Sequence, residues 1–258
     1  MRKVYVETLG EGPDLVLLHG WAMHSDIWQS VRSQLAQHFR LHLVDLPGHG
    51  ASPTPWIHGP DALKDMTEMI ADSLPERSII CGWSLGGQIA MKLSLDMPER
   101  INKLILISTT PSFIQRKDWI WAMEADILES FIANLNRDCI STLNRFFTLQ
   151  IQGEINTILL LRKLRKYISK EGVPDWDGLQ IGMKTLLTTD LRRNIKNINH
   201  PVTLLHGKND AIVPPDAAKW LHNNLQNSKL IMFSDCGHIP FLSHEDQFLS
   251  SIFKATRI

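Results

Sequence analysis

Ser78-Ile79-Ile80-Cys81-Gly82-Trp83-Ser84-Leu85-Gly86-Gly87-Gln88-Ile89-Ala90-Met91-Lys92-Leu93 joins an apolar run to a helix-forming run through a G-x-S-x-G pentapeptide. The first four residues suit a short buried strand, and the residues from Gly87 suit a helix. A serine held between strand and helix in this spacing is a nucleophile elbow, where a sharp turn lifts the hydroxyl clear of a sheet. The flanking glycines are needed because the two backbones approach too closely there for a Cβ. Ser84 is therefore the candidate nucleophile. A Gly-Ser cluster is also the ordinary composition of a loop, so the rest of the chain must decide between the two.

Working outward, short apolar segments recur with helical stretches between them. Val4–Val6, Leu15–Leu18, Leu41–Val44, Ile79–Cys81, Leu104–Ile107, Val202–Leu205 and Leu230–Phe233 all read as strands. Near-continuous apolar strands suit a sheet covered on both faces, and alternation with helices makes it mostly parallel. The expected class is α/β, with a mostly parallel central sheet and helices on both faces. Ligands of such sheets bind beyond the carboxyl ends of the strands. His19, Ser84, Asp210 and His238 each follow a strand and should share that edge.

Between about Pro111 and Asp190 the pattern changes. No strand is apparent, and apolar residues recur at helical spacing in Ile127, Leu128, Phe131, Ile132 and Leu135, then in Leu143, Phe146 and Phe147, and later in Leu160, Leu161, Leu164 and Ile168. This divides the chain into a core of residues 1–110 and 191–258 and an inserted helical cap of residues 111–190. Val173-Pro174-Asp175 and Gly182 are expected to break the cap into pieces.

A serine hydroxyl is a poor nucleophile until a base accepts its proton, and the base needs a third group to hold its tautomer. After an elbow serine the chain order is acid, then histidine. Asp210 lies in a loop directly after a strand, and His238 lies in Asp235-Cys236-Gly237-His238-Ile239-Pro240 after the last strand. Ser84, Asp210 and His238 form the expected catalytic set. Asp235 is a weaker candidate acid, too near His238 in sequence to reach the far side of its ring. His49, between glycines, reads as part of a turn. An oxyanion needs aimed N–H donors. Leu85 offers one from the helix start, and Trp21, in the His19-Gly20-Trp21 loop after an early strand, offers the second. The Trp21 and Trp83 indoles are candidates to wall the pocket, with core packing as the alternative.

Bulk properties bound the remainder. Lys+Arg and Asp+Glu balance at 27 each across 258 residues, so net charge points to no polyanionic partner and no nucleic acid is expected. The odd set Cys81, Cys139 and Cys236 has no metal-ligand spacing, and buried free thiols suit a reducing cytoplasm. No metal is expected. Without a G-x-G-x-x-G strand–helix unit or a Walker lysine, no cofactor is expected either. The N-terminal residues carry charge with no apolar run after them, and no apolar run is long enough to span a bilayer, so neither a signal peptide nor a membrane partner is expected. The working expectation is a monomer. Leu160 to Lys170 is amphipathic: Leu160, Leu161, Leu164 and Ile168 share one face, and Arg162, Lys163, Lys166 and Lys170 share the other, with Arg165 at its edge. That basic face is a solvated surface or a docking surface for an acidic partner, and Arg145 extends it. Phe146, Phe147 and Leu149 would line an apolar channel beneath.

The elbow, the oxyanion loop and the triad order resemble those of the α/β-hydrolase superfamily. Leu17–Trp21, Leu43–Gly50, Gly82–Gly87, Arg145–Gln150, Asp190–Arg192 and His238–His244 more closely resemble the pimeloyl-acyl-carrier-protein methyl ester carboxylesterases of biotin synthesis. The likeness runs nearly end to end and includes the cap. It implies a serine carboxylesterase that removes methanol from a pimeloyl methyl ester carried on acyl carrier protein. It further implies substrate contacts at Trp21, Ser84, Leu85, Phe146, Phe147, Thr148, Leu149, Gln150 and His238. Carrier docking is implied at Arg145 and Arg162, with Lys163, Arg165 and Lys166 compensating where Ser141 and Ile158 stand in place of the family's arginines. The alternatives are a broad short-chain esterase or a carbon–carbon bond hydrolase of the same fold, and a non-catalytic binding protein that keeps the triad.

Overall fold

The computed structural model describes residues 3–54, 61–171 and 175–256, and the side chains of residues 167–171 lie outside that description. The expectations at Ile168, Lys170, Val173 and Pro174 therefore fall outside the described residues.

Seven strands form one sheet: β1 (Val6–Leu9), β2 (Asp14–Leu18), β3 (Arg40–Val44), β4 (Ser78–Trp83), β5 (Ile101–Ile107), β6 (Val202–Gly207) and β7 (Ser228–Phe233). Their order is β1-β3-β2-β4-β5-β6-β7. β1 runs antiparallel to β3, and every other pair is parallel. The central strands are apolar on consecutive residues, and Leu15 to Leu18 are all buried, which requires cover on both faces. Helices α1 (Gln29–Leu35), α2 (Ala62–Ala71), α3 (Leu85–Asp96), α8 (Pro215–Asn224), α9 (Pro240–Ser243) and α10 (Glu245–Thr256) supply it. α1, α9 and α10 pack on one another, α2 packs on α3, and α8 lies on β6 and β7. The first strand begins two residues later than its apolar run suggests. Tyr5 N–H is drawn to Ser52 Oγ at 2.8 Å, and regular pairing with β3 starts at Val6 opposite Val44.

Among the described residues, the four helices α4 (Ala125–Arg137), α5 (Cys139–Gln150), α6 (Thr157–Glu171) and α7 (Trp176–Thr188) fill the insertion between β5 and β6. Among the described residues the insertion has no strand, only the isolated bridges Ile114–Met123 and Arg116–Trp119. Its two ends lie side by side, with Leu191 N–H donating to the Pro111 carbonyl at 2.9 Å. Asp138 separates α4 from α5 and caps the latter by accepting from Ser141 N–H. Leu128, Leu135, Leu143, Leu160 and Leu164 point inward, while Ile155, Ile158 and Leu159 are exposed.

Gly182 does not break a helix. It sits inside α7, where an added Cβ would stand 2.5 Å from Trp21 Cδ1. The residue is small so that α7 can seat against an indole from the sheet edge, a tertiary reason that local propensity does not reveal.

Candidate active site

β2, β4, β6 and β7 run in the same direction, so the loops that follow them meet at one edge. Ser84 follows β4 with φ 54° and ψ −115°, a region that costs a non-glycine residue about 1–3 kcal/mol and persists where the surroundings over-determine it. Those surroundings are close. A Cβ on Gly82 would fall 2.3 Å from Gly86 O, and one on Gly86 would fall 2.4 Å from Leu18 O. Ser84 N–H donates to Ile107 O at 2.9 Å, and Ser84 C=O accepts from Gly87 N–H and from Thr109 Oγ1. The turn is thus locked while the side chain stands at the start of α3.

His238 and Asp210 meet there. His238 Nδ1 lies 2.7 Å from Asp210 Oδ2, and both residues are buried. Asp210 Oδ1 accepts from the N–H groups of Ile212 and Val213 at 2.9 Å each. Burial works to raise the Asp210 carboxyl, but the neighbouring imidazoles, chiefly His238, and the backbone donors more than offset it and hold the group below its usual range. An ionised Asp210 fixes the proton of His238 on Nδ1 and leaves Nε2 free to act as a base. Nε2 has no hydrogen-bond partner among the described residues. Among the described residues no hydrogen bond or ion pair joins Asp235 to His238; Asp235 occupies a turn with φ 51°. His206 also flanks Asp210, with Nε2 3.4 Å from Oδ2 and 2.9 Å from Val213 O. Burial lowers its affinity for a proton, so it serves as a neutral donor beneath the acid.

The two expected oxyanion donors sit in open positions. Among the described residues no hydrogen bond engages the main-chain N–H of Trp21 or of Leu85. The Trp21 indole faces the cap: its Nε1 donates to Leu179 O at 3.0 Å, and its ring lies edge-on to Phe131 and Phe146. Those phenylalanines continue into a groove of about 410 Å3 between α4 and α5, lined also by Ile127, Arg145 and Leu149. The Trp83 indole is not a pocket wall in the same sense. It lies buried beside His238 and Phe241 and donates to His238 O at 2.9 Å.

The remaining expected residues separate. Phe147 is fully buried behind Phe146, and Thr148 is exposed and donates back to Asn144 O, so neither lines the groove. Gln150 is buried, its carbonyl accepts from His238 N–H at 2.8 Å, and among the described residues its side-chain amide has no partner at either end. Arg145, Arg162, Arg165 and Lys166 are exposed, Arg165 bonding Asn144 Oδ1. Lys163 is drawn toward the core by an ion pair of 3.1 Å with Glu245 of α10.

Sequence reasoning missed Glu154. Its carboxylate accepts from Gly237 N–H at 2.7 Å, next to His238. The only advance signal is an acid standing alone before a long basic stretch. Among the described residues, Glu154, Cys236 and His244 bring three metal-ligating atoms within 4.8 Å of one another. Burial pushes the Cys236 thiol up, away from the thiolate that a metal takes, and Glu154 is already engaged. The set reads as a hydrogen-bonded cluster. No helix among the described residues is long and apolar enough to cross a membrane.

Comparison with known proteins agrees with this geometry. Residues 13–245 match the family described as the alpha/beta hydrolase fold. The chain is 50% identical over 250 residues to a pimeloyl-[acyl-carrier protein] methyl ester esterase of Nitrosomonas europaea, covering 97% of this chain and 98% of the relative. It is 48% identical over 258 residues to the protein of the same name from Nitrosospira multiformis, covering 98% of each. Among solved structures, an esterase from Exiguobacterium antarcticum superposes with a TM-score of 0.89 at 26% identity, covering 98% of this chain and 95% of that one.

Proposed function

The chain belongs to the α/β-hydrolase fold family and, within it, to the pimeloyl-[acyl-carrier protein] methyl ester esterases, and from that premise we propose that it hydrolyses the methyl ester of a pimeloyl chain borne by acyl carrier protein, for biotin synthesis. The observation that carries the reading is the buried 2.7 Å His238–Asp210 pair at the edge where a strained elbow presents Ser84.

Ser84 Oγ attacks the ester carbonyl carbon as its proton passes to His238 Nε2. The negative charge that develops on the carbonyl oxygen is met by the N–H groups of Leu85 and Trp21, which are free and need no reorganisation. The intermediate collapses, His238 returns the proton to the departing methoxide, and methanol leaves. A water then attacks the acyl-Ser84 ester, again losing its proton to His238; as the C–Oγ bond breaks, His238 returns that proton to Ser84 Oγ and the free ω-carboxyl is released. Asp210 keeps the imidazole in the tautomer that both halves require.

The insertion of residues 111–190 is the cap that receives the substrate. The acyl chain lies along Trp21, Phe131, Phe146 and Leu149, and the buried amide of Gln150 hydrogen-bonds the chain's polar end or linker. The carrier docks on Arg145, Arg162, Arg165 and Lys166, with exposed Ile155, Ile158 and Leu159 adding an apolar margin. Lys163, held by Glu245, contributes less than its sequence position suggests.

The test is direct. Purified protein should release methanol from methyl pimeloyl-carrier protein and react covalently with a fluorophosphonate, and Ser84→Ala should abolish both. Wild-type protein that neither labels nor releases methanol would leave a binding protein as the better description.

A further inference from the structure

The turn between α5 and α6 is more than a surface connection. Three of its groups hold the two loops that carry His238 and Asp210. Gln150 C=O accepts from His238 N–H at 2.8 Å. Glu154 Oε1 accepts from Gly237 N–H at 2.7 Å. Gly153 C=O accepts from Asn209 Nδ2 at 3.0 Å, and Asn209, which precedes Asp210, donates its own N–H to Cys236 O at 2.9 Å. Two consecutive N–H groups of the histidine loop are therefore fixed by the cap and not by the sheet.

Glu154 is the unusual member of this contact. It is 8% exposed, and burial pushes its carboxyl above the ordinary range. A buried carboxylate is expensive unless its oxygens are used. Here Oε1 reaches across 83 positions of sequence to the Gly237 backbone donor, and the Ser243 hydroxyl and Cys236 thiol also bond the carboxylate. The contact is also tight on the other side: a Cβ on Gly237 would lie 2.7 Å from Gln150 O and 3.1 Å from Gln152 O.

We propose that Glu154 is a positioning residue for His238: by holding Gly237 N–H it sets the backbone that carries the imidazole paired with Asp210. Through the same turn, α5, which lines the substrate groove, and α6, which carries the basic face, are joined mechanically to the His–Asp pair. The cap then acts as a strut at this end, and any opening that admits substrate takes place elsewhere along its rim. The inference rests on His238 as the general base.

Three variants separate positioning from packing or charge. Glu154→Ala removes the acceptor. Glu154→Asp keeps the charge but withdraws it by one methylene. Glu154→Gln loses the charge but keeps an acceptor at full reach. With a p-nitrophenyl ester, which needs no carrier, Ala and Asp should lower kcat by about 10- to 100-fold with KM little changed, as expected for a small misplacement of a catalytic group. Gln should restore kcat to within about threefold of wild type, since a neutral acceptor still satisfies the donor. The low-field proton resonance of the His238 Nδ1–H···Asp210 hydrogen bond should persist in Gln and broaden or vanish in Asp. If Ala fails to fold, the Gln and Asp pair still decides. Wild-type kcat in Asp, or a Gln variant as impaired as Asp, overturns the proposal. His238→Ala serves as the control: if it keeps full activity, the assignment of the base has failed, whereas its loss beside an unimpaired Asp variant refutes only the role of Glu154.

Discussion

The Trp83 indole N–H donates to the main-chain carbonyl of His238 at 2.9 Å, so the residue before the proposed nucleophile holds the residue proposed as its base. The two catalytic loops, 155 residues apart in sequence, are tied by a bond that neither the serine nor the imidazole makes. Trp83→Phe keeps a buried aromatic ring against Phe241 but leaves that carbonyl unpaired. An orphaned buried acceptor costs about 1–3 kcal/mol. The variant should melt several degrees lower and lose kcat, while KM for a small ester stays near wild type. Thermal denaturation and steady-state kinetics check both.

Asp210 offers the sharpest activity prediction. Its Oδ2 fixes the His238 proton on Nδ1, and its Oδ1 is held by two backbone donors. Asp210→Asn can present an NH2 group to the imidazole, which drives the ring to the tautomer with its proton on the wrong nitrogen. By analogy with other triads, kcat should fall by about 10⁴-fold with the fold intact. Single-turnover acylation with a chromogenic ester, beside a circular dichroism spectrum matching wild type, measures it. Activity within tenfold of wild type would shift the acid's role to another carboxylate.

The centre of the sheet was legible because β2, β4 and β6 are buried on both faces, which writes them as unbroken apolar runs. The proposed triad could be picked out in the sequence because Ser84, Asp210 and His238 each sit in a loop just after a strand. The edges were less so: β1 starts at Val6, not Val4, because the hydroxyl of Ser52 captures Tyr5 N–H, a contact invisible to local pattern. Gly182 looked like a helix breaker, and only the indole of Trp21 against α7 explains it. Phe146 and Phe147 are neighbours about 100° apart on α5, so one faces the groove and the other the core, and periodicity alone does not choose. Glu154 showed only as an acid before a basic stretch, and its role could not be read because its partner is Gly237.

Gln150 carries a prediction of opposite sign for stability and function. Its buried amide has no partner at either end among the described residues, which penalises the fold by the desolvation of two polar atoms. Gln150→Met fills a similar volume without that penalty. It should raise the melting temperature while raising KM for the carrier-bound ester. Should the variant melt lower and bind substrate normally, the amide is structural and does not contact substrate.

Acid stability should report the junction at the base of the cap. Burial works to raise the Asp190 carboxyl, but the two guanidinium bonds, the backbone bond and the charge of Arg192, with the charge of Arg116, outweigh it and hold the group below its unfolded value of 3.8. A carboxyl lowered on folding contributes stability that is present above the unfolded pKa and is lost as pH falls through the folded one. Asp190→Asn should therefore be less stable than wild type near neutrality, with the gap closing as pH falls below 3.8 and through the lower folded value. Urea denaturation across that range measures the gap, and a constant difference at all pH values would remove the ion pairs as its cause.

Carrier docking should depend on Arg162 and on salt, but not on salt alone. Arg162 is exposed and makes no ion pair among the described residues, whereas Lys163 is committed to Glu245 and Arg165 to Asn144. An acidic carrier approaching α6 therefore meets Arg162 with its charge uncompensated. Exposed charges are screened beyond about 10 Å at 0.1 M salt, so kcat/KM for the carrier-bound ester should fall as salt rises. Arg162→Glu should lower the ratio of that constant to the one for a p-nitrophenyl ester by several-fold and flatten its salt dependence. Ile155, Ile158 and Leu159 stand beside this charge at 79%, 74% and 55% exposure, and apolar burial does not weaken with ionic strength. A residual, salt-insensitive preference for the carrier-bound substrate is expected at high salt and should be lost in Ile158→Asp. A preference that ignores both salt and Arg162→Glu would move the docking surface away from α6.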